Sequence, residues 1–457
     1  MFMKTIYTQG VAHLSYVLGD DGRAAVIDPR RDVGVYLDAA QQEGARITHV
    51  FETHRNEDYV IGSLELARRT GAEIHHGSQL DFQYGKPVHE GEDFTLGNVK
   101  LSILHTPGHT LESISIVYRD LAFGEEPLGV FTGDALFIGD VGRTDFFPDR
   151  PEEVAGMLYD SIFGKLLPLG DAVLLWPAHG AGSVCGAGMA DRNFSTLGYE
   201  RKHNPVLQKA DRDAFIHYKT GEEHFQPPYF RRMERYNLEG APPLAEAPRP
   251  KPLGPDEFAR AAREGMLVVD TRSPEAFAGA HVPESYSLPE EMLPAFAGMF
   301  LDYEKPIGLV VEDPRQIDQA VLGLYRIGYD RIEGFLAGGL HAWETSGRPY
   351  GTVGVMHVAE LEKRIDGGAE FTLLDVRSKE EFQAGHLRGA VHVYVGDLPA
   401  KLDRIPAARP VTTFCGSGQR AMIAAALLKR HGIEPVEDCL GSMSACKNVK
   451  CQVVDGG

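Results

Sequence analysis

The sequence predicts an α/β protein in three parts. A sheet-based domain is expected over residues 1–237, followed by two smaller α/β domains over 255–350 and 355–457. Three observations carry this expectation. Short apolar runs alternate with helical stretches through the first half, and several end in histidine or aspartate clusters. A proline-dense segment occupies 238–254. Beyond it, one pattern of residues occurs twice. A chain of 457 residues suits about three domains at roughly 150 residues each.

The first part is read strand by strand. Ala24-Ala25-Val26-Ile27, Ile47-Thr48-His49-Val50-Phe51, Leu101-Ser102-Ile103-Leu104, Val130-Phe131 and Val173-Leu174-Leu175-Trp176 read as buried strands. Four of them lead into Thr53-His54-Arg55-Asn56-Glu57-Asp58-Tyr59, His105-Thr106-Pro107-Gly108-His109-Thr110, Thr132-Gly133-Asp134 and Pro177-Ala178-His179-Gly180. A strand end followed by a loop is where a layered α/β fold presents its chemistry. The site is therefore expected along one sheet edge. Pro107 and Gly108 fix a turn that can aim His109, and Gly133 shapes the strand end before Asp134. His54, His109, Asp134 and His179 stand at these strand ends and are side chains of metal-binding type. Taken singly, each could be a structural residue. His179 in particular has the alternative reading of a structural loop histidine.

The segment Leu238-Glu239-Gly240-Ala241-Pro242-Pro243-Leu244-Ala245-Glu246-Ala247-Pro248-Arg249-Pro250-Lys251-Pro252-Leu253-Gly254 is expected to be an extended, semi-rigid linker. The repeat follows. Asp270-Thr271-Arg272-Ser273-Pro274-Glu275-Ala276-Phe277, with Gly279 and His281 after it, is matched by Asp375-Val376-Arg377-Ser378-Lys379-Glu380-Glu381-Phe382, with Gly385 and His386. Each copy follows a short apolar strand, Met266–Val269 or Phe371–Leu374.

Only the second copy carries a nucleophile. The strand Val411-Thr412-Thr413-Phe414 runs into Cys415-Gly416-Ser417-Gly418-Gln419-Arg420 and then an apolar helix. Two glycines let successive backbone N–H groups curl around one point, and the helix amino terminus adds positive potential. Both stabilise a thiolate or persulfide anion at Cys415. Arg420 adds a fixed cation for a sulfite or thiosulfate oxygen. At the equivalent strand end the first copy reads Val310-Val311-Glu312-Asp313-Pro314-Arg315, and no cysteine occurs from 186 to 414. Thiolate catalysis is impossible there, so that domain reads as a scaffold or docking domain.

Bulk properties narrow the partners. A net charge of −19 argues against nucleic acid or anionic membrane. The amino terminus lacks the apolar core of a signal peptide, and no run of 18 apolar residues exists. The cysteines are Cys185, Cys415, Cys439, Cys446 and Cys451, an odd and sparse set that suits a reducing cytoplasm. Cys439, Cys446 and Cys451 are expected to be structural or accessory thiols. Cys185 reads either as a buried inert thiol or as a carrier of persulfide to the metal.

These motifs resemble two families. The first part is similar to metallo-β-lactamase-like hydrolases, which implies an αββα sandwich. Their T-H-x-H-x-D-H is here T-H-x-N-x-D-Y, so two metal-binding histidines are replaced by Asn56 and Tyr59. Within that superfamily the block resembles persulfide dioxygenases. The resemblance implies one Fe(II) per chain at His54, His109 and Asp134, with Asp58 and His179 supporting them. It also matches Gly139-Asp140-Val141-Gly142-Arg143-Thr144-Asp145 and Gly198-Tyr199-Glu200. Arg143 and Tyr199 thus become candidates for binding substrate, with a structural salt bridge as the other reading of Arg143.

Residues 250–457 resemble rhodaneses. Cys415 and Arg420 fall on the active loop, with Gly416, Ser417, Gly418 and Gln419 cradling the sulfur anion. The spacing C-x4-R favours sulfur transfer over the C-x5-R of related phosphatases. Together the parts resemble persulfide dioxygenase–rhodanese fusions of sulfide detoxification. This implies oxidation of a small thiol persulfide (glutathione, coenzyme A or bacillithiol type) by O2 to sulfite, with sulfur exchange among sulfite, thiosulfate and thiols at Cys415. It further implies a cytoplasmic dimer or tetramer. Two other readings stay open: a dizinc thioester hydrolase of the glyoxalase II type fused to a sulfurtransferase, and a non-enzymatic sulfur carrier or sensor.

Overall fold

Apolar runs without clean alternation belong to strands buried on both faces, and the first half of the chain is built from them. The structure, a computed structural model, describes residues 1–183, 186, 188–209, 211–244, 246–406 and 408–454. It divides into one unit of Met1–Ala247 with Arg326–Gly328, and a second of Pro248–Tyr325 with Tyr329–Gly457.

The first unit holds two six-stranded sheets. One comprises β1 (Phe2–Thr8), β2 (His13–Asp20), β3 (Arg23–Ile27), β4 (Arg46–Phe51), β5 (Glu73–Gly77) and β6 (Lys86–Val88), in that order. Its first three strands are antiparallel, and the rest add in parallel. The other comprises β7 (Asp93–Leu96), β8 (Val99–His105), β9 (Ile114–Asp120), β10 (Gly129–Gly133), β11 (Leu174–Pro177) and β12 (Ser195–Thr196). There only β10 and β11 run parallel.

Leu14, Tyr16, Leu18 and Phe51 of one sheet meet Ile103, Ile116 and Phe131 of the other in a shared core. The opposite face of the first sheet packs Val17, Val26 and Val50 under α1 (Gly34–Gln42) and α2 (Ser63–Thr70), through Tyr36, Ala40 and Leu66. The opposite face of the second packs Val117, Val130 and Leu175 against Leu158 of α3 (Pro151–Ser161). The layers are therefore αββα. Three further helices, α4 (Leu197–His203), α5 (Arg212–Thr220) and α6 (Phe230–Glu239), complete the unit.

The second unit contains two parallel sheets with the same strand order. The first has β13 (Lys251–Leu253), β14 (Leu267–Asp270), β15 (Tyr286–Ser287), β16 (Ile307–Val310) and β17 (Ile332–Leu336), in order β13-β17-β16-β14-β15. The second has β18 (Gly354–His357), β19 (Thr372–Asp375), β21 (Val391–His392), β22 (Val411–Phe414) and β23 (Val436–Leu440), in order β18-β23-β22-β19-β21. A small pair, β20 (His386–Leu387) and β24 (Val453–Val454), lies outside them.

The repeated D-x-R is explained by this geometry. Arg272 Nη2 pairs with Asp270 Oδ2 at 2.6 Å and donates to Ala280 O at 2.7 Å. Arg377 Nη2 repeats this with Asp375 Oδ2 at 2.6 Å and Gly385 O at 2.8 Å. In both copies the carboxylate at the strand end fixes an arginine that ties down the end of the following helix. The motif is a buried clasp.

Two expectations are corrected. The segment 238–254 is not wholly linker. Its first residues close α6, and Lys251–Leu253 form β13, paired in parallel with β17. A terminal strand at a sheet edge tolerates Pro252, because one side of its backbone needs no ladder partner. Second, Cys446 and Cys451 are joined in a disulfide. Cys446 lies on helix Ser442–Val449, and Lys450 takes a left-handed conformation (φ 60°) that turns the chain back. Their Cα atoms are thereby 5.0 Å apart, within disulfide reach. Among the described residues, no helix is long and apolar enough to cross a membrane.

The second unit also buries an awkward charge. Asp438 on β23 is fully buried, and neither carboxylate oxygen has a hydrogen-bond partner among the described residues. Burial, helped by Glu275, pushes its carboxyl up to about 8. In the unfolded chain such a group titrates near about 4. The folded state therefore holds the proton more tightly, and stability falls as pH rises from about 4 toward about 8. Asp438→Asn removes this term. The variant should match or trail wild type in melting temperature at pH 5 and gain on it steadily to pH 9, read by scanning calorimetry.

Candidate metal centre and cysteine loop

Four strand ends deliver the polar residues of the first unit to one sheet edge. His54 follows β4, His109 follows β8, Asp134 follows β10, and His179 follows β11. All four are buried. Asp134 Oδ2 lies 3.7 Å from His54 Nε2 and 3.6 Å from His109 Nε2. The two imidazoles meet edge-on, with centroids 5.1 Å apart.

The hydrogen bonds around these rings fix their tautomers. Asp28 accepts from the Thr53 N–H and from Thr53 Oγ1, both at 2.7 Å. With its proton so used, Thr53 Oγ1 accepts from His54 Nδ1 at 2.9 Å. The carbonyl of Arg143 can only accept, so His109 Nδ1 donates to it at 3.0 Å. Both rings therefore carry the proton on Nδ1 and turn an Nε2 lone pair toward Asp134. Neither Nε2 makes a hydrogen bond, although both are buried. Buried polar atoms are costly when unsatisfied, and two lone pairs beside a carboxylate suit a divalent cation. The residues thus fit a metal ion.

Asp134 is oriented from behind. His179 Nδ1 lies 2.8 Å from its Oδ1 and 3.0 Å from its Oδ2. Burial raises the Asp134 carboxyl, but His179 and His54 outweigh this and hold it well below the usual range. Burial likewise lowers His179, while Asp134 and Asp58 raise it well above an ordinary histidine. Asp58 Oδ2 stands 3.0 Å from His179 Nε2, so His179 bridges two carboxylates. Tyr59 packs on His13 at 4.2 Å between centroids. Among the described residues, no three metal-binding donors gather there.

Among the described residues one other donor group occurs, His49, Glu73 and His75. Its atoms partner each other: His49 Nδ1 and His75 Nε2 are 3.1 Å apart, and Lys86 holds Glu73 at 2.8 Å.

Arg143 requires correction. It is fully buried, and its guanidinium grips Asp145 through two bonds of 2.7 and 2.6 Å, with Nη1 donating to Phe225 O at 3.2 Å. The cation is committed internally, and what reaches the centre is its backbone carbonyl. Tyr199 on α4 is 45% exposed and stacks with His203 and Arg192, not with the ligands. Cys185 lies outside the described residues. Sequence reasoning passed over Glu57, whose carboxylate is buried 3.2 Å from His109 Nε2.

In the second unit, Cys415 ends β22 and is 1% exposed. The Gly418 N–H points at its sulfur at 3.1 Å. Gly418 has φ 104° and opens the helix Gln419–Arg430. Carbonyls of the loop are tied from below: Met443 N–H donates to Cys415 O at 3.1 Å and Ser444 N–H to Gly416 O at 2.8 Å. Ser442 Oγ accepts from the Cys415 N–H at 3.1 Å. With its carbonyls bound behind, the loop turns the Gly418 N–H toward the sulfur. Arg420 is held in a fork by Glu381, at 2.6 and 2.8 Å. Glu381 was also missed, although Ser378-x-x-Glu381 is a capping box that marks it. Gln419 Nε2 donates to Glu291 of the cysteine-free repeat at 2.6 Å.

Comparison with known proteins agrees with both halves. Residues 8–179 match the metallo-beta-lactamase superfamily, and 254–346 and 357–448 match the rhodanese-like domain. A metallo-beta-lactamase from Staphylococcus aureus subsp. aureus COL has a similar structure, with TM-score 0.67 and 32% identity over 74% of this chain and 99% of that one. The mitochondrial persulfide dioxygenase of Mus musculus is 31% identical over 202 residues, 42% of this chain and 70% of its own. A hydroxyacylglutathione hydrolase of Haemophilus influenzae is 28% identical over 215 residues, 42% of this chain and 91% of its own. The chain belongs to the metallo-beta-lactamase superfamily. In particular, it joins a persulfide dioxygenase-like domain of that fold to two rhodanese-like domains.

The Asp28–Thr53–His54 chain sets one ligand's tautomer. Thr53→Val keeps the shape and removes the hydroxyl. Metal affinity should fall about 10- to 100-fold, measured by Fe(II) competition with a chromophoric chelator.

Proposed function

We propose that this protein is a bifunctional enzyme of sulfur metabolism. The amino-terminal unit oxidises a small thiol persulfide with O2, and Cys415 transfers sulfane sulfur. The observation that carries the first half is the convergence of two imidazole lone pairs and one carboxylate, together with the loss of histidine at 56 and 59. A two-metal hydrolase needs those histidines; a mononuclear site of two His and one carboxylate suits non-haem Fe(II). Fe(II), when bound, would supply a template with open positions and relay to O2 the electrons that the persulfide sulfur gives up. The overall change is RSSH + O2 + H2O → RSH + sulfite + 2 H⁺.

The chain's own residues set the conditions. Thr53 and the Arg143 carbonyl keep His54 and His109 in the ligating tautomer. His179 holds a proton at Nδ1 against Asp134 and so fixes the carboxylate's orientation. The substrate thiol belongs to the glutathione, coenzyme A or bacillithiol class.

In the second half, the Cys415 thiolate attacks the outer sulfur of thiosulfate. A new S–S bond forms, and sulfite leaves with the electron pair of the broken bond. A thiol then takes the sulfane sulfur from Cys415, or the steps run in reverse. The Gly418 N–H and the Arg420 guanidinium favour the anion at the loop. Joining both activities in one chain raises the effective concentration of sulfite and persulfide at each.

Oxygen uptake tests the reading, with glutathione persulfide and coenzyme A persulfide in parallel on Fe(II)-loaded protein. His109→Ala should abolish uptake while thiosulfate sulfurtransfer persists. Cys415→Ser should do the reverse. Two zinc ions per chain with thioester cleavage, and no uptake with any persulfide, would make the protein a hydrolase instead.

A further inference from the structure

The chain leaving His54 has no regular structure to hold it. Residues 54–60 form neither helix nor strand, and all but Arg55 are buried. Backbone N–H and C=O groups in such a stretch must find partners outside a ladder. Neighbouring side chains supply two of them. Asn56 Nδ2 donates to the His54 carbonyl at 3.1 Å, and Glu112 Oε1 accepts from the Arg55 N–H at 3.0 Å.

A side chain from far along the sequence supplies three more. Asn237 is fully buried on α6, on the face that also buries Phe230 and Met233. Its Nδ2 donates to the Asn56 carbonyl at 2.6 Å and to the Tyr59 carbonyl at 2.8 Å, and its Oδ1 accepts from the Ile61 N–H at 2.9 Å. These partners admit one orientation of the amide, because two carbonyls need the NH2 and one N–H needs the oxygen. A single amide thus staples the loop at three points. The helix bearing it is itself held in register. Tyr84 Oη donates to the Asn237 carbonyl at 2.8 Å, and Arg55 pairs with Glu234 at 2.6 Å. The Phe230 ring stands 6.4 Å from that of Phe146, which meets His109 edge-on at 5.3 Å between centroids.

The staple falls where the loop has lost other fastenings. Asn56 and Tyr59 replace two metal-binding histidines, so these side chains do not tie the loop to an ion. Its backbone is tied to α6 instead, which lies beyond the residues that match the metallo-beta-lactamase superfamily.

We infer that Asn237 is a positioning residue of the metal centre. By holding the carbonyls of Asn56 and Tyr59, it sets the path of the chain from His54 to Asp58. With that path it sets the aim of His54 Nε2 at Asp134 and of Asp58 at His179. The inference rests on the metal-centre reading above and deepens it. Functional constellations tolerate misplacement of only about 0.5 Å, so a loop released from one buried amide weakens the site without losing a ligand.

The test uses the full chain, with Co(II) as probe. Wild type, Asn237→Asp, Asn237→Ser and Met233→Ala are compared by competition with a chromophoric chelator and by the Co(II) visible spectrum. Calorimetry of the metal-free proteins reads their folding. Asn237→Asp keeps the shape and the acceptor for Ile61 but turns an anion on two carbonyls. Asn237→Ser is the milder change, small enough to admit water to them, and serves if the first variant does not fold. Met233→Ala loosens the same helix face without touching the loop's hydrogen bonds. Asn237→Asp should bind Co(II) about 10- to 100-fold more weakly, with shifted visible bands. Asn237→Ser should lie between it and wild type. Met233→Ala should melt earlier yet keep the wild-type affinity and spectrum. Wild-type affinity and bands in a folded Asn237 variant overturn the inference. An equal loss in Met233→Ala also overturns it, since helix stability alone would then set the site. If wild type itself binds no Co(II), the metal-centre reading falls instead, a separate and visible failure.

Discussion

A polar atom taken out of water must be given a partner, and the amino-terminal unit is arranged around atoms for which the fold provides none. The buried Nε2 atoms of His54 and His109 face a buried carboxylate and make no hydrogen bond. Thr53 is occupied by Asp28, and the Arg143 carbonyl takes the far side of His109. Asp134 is turned by His179. Leaving such groups unmet costs about 1–3 kcal/mol each. A fold that concentrates them at one sheet edge holds this cost in reserve for a ligand to recover.

The two repeats of the second unit separate scaffold from chemistry. Strand order, the Asp–Arg clasp and the strand-to-helix connection are common to both. One connection carries Cys415 and two glycines; the other carries Asp313, which caps its own short turn. The cysteine-free copy is nevertheless not inert bulk. Glu291 receives a hydrogen bond from Gln419, so it touches the loop that carries Cys415.

Much of this was legible in the residues, for reasons that can be named. Strands buried on both faces leave unbroken apolar runs, and glycine-shaped strand ends mark where His109 and Asp134 emerge. The D-x-R clasp is local, so its residues lie close in sequence and repeat visibly. What escaped depended on direction or on distance along the chain. Whether Arg143 points at a pocket or at Asp145 is a matter of rotamer, and no pattern records it. Glu57 was hidden because one charged residue in a loop of charged residues carries no mark of burial. The Cys446–Cys451 bond turned on a single left-handed residue, Lys450. Strand β13 was masked by prolines that an interior strand would have forbidden and an edge permits.

Two glycines near the centre have a consequence for how such a site diversifies. A Cβ on Gly133 would lie 2.6 Å from Thr53 Oγ1, at φ 54°, and one on Gly142 would lie 2.0 Å from the Asp134 carbonyl oxygen. The Gly133 backbone is pressed against the Thr53 side chain and the Gly142 backbone against that of Asp134, with no room for even a methyl group. Lineages sharing this architecture can therefore explore little in the frame itself. The side chains of the 53–59 loop, where Asn56 and Tyr59 stand, are left freer to vary than this frame. The centre behaves as a rigid socket with an interchangeable pin, and a change of metal or reaction need not await a change of fold.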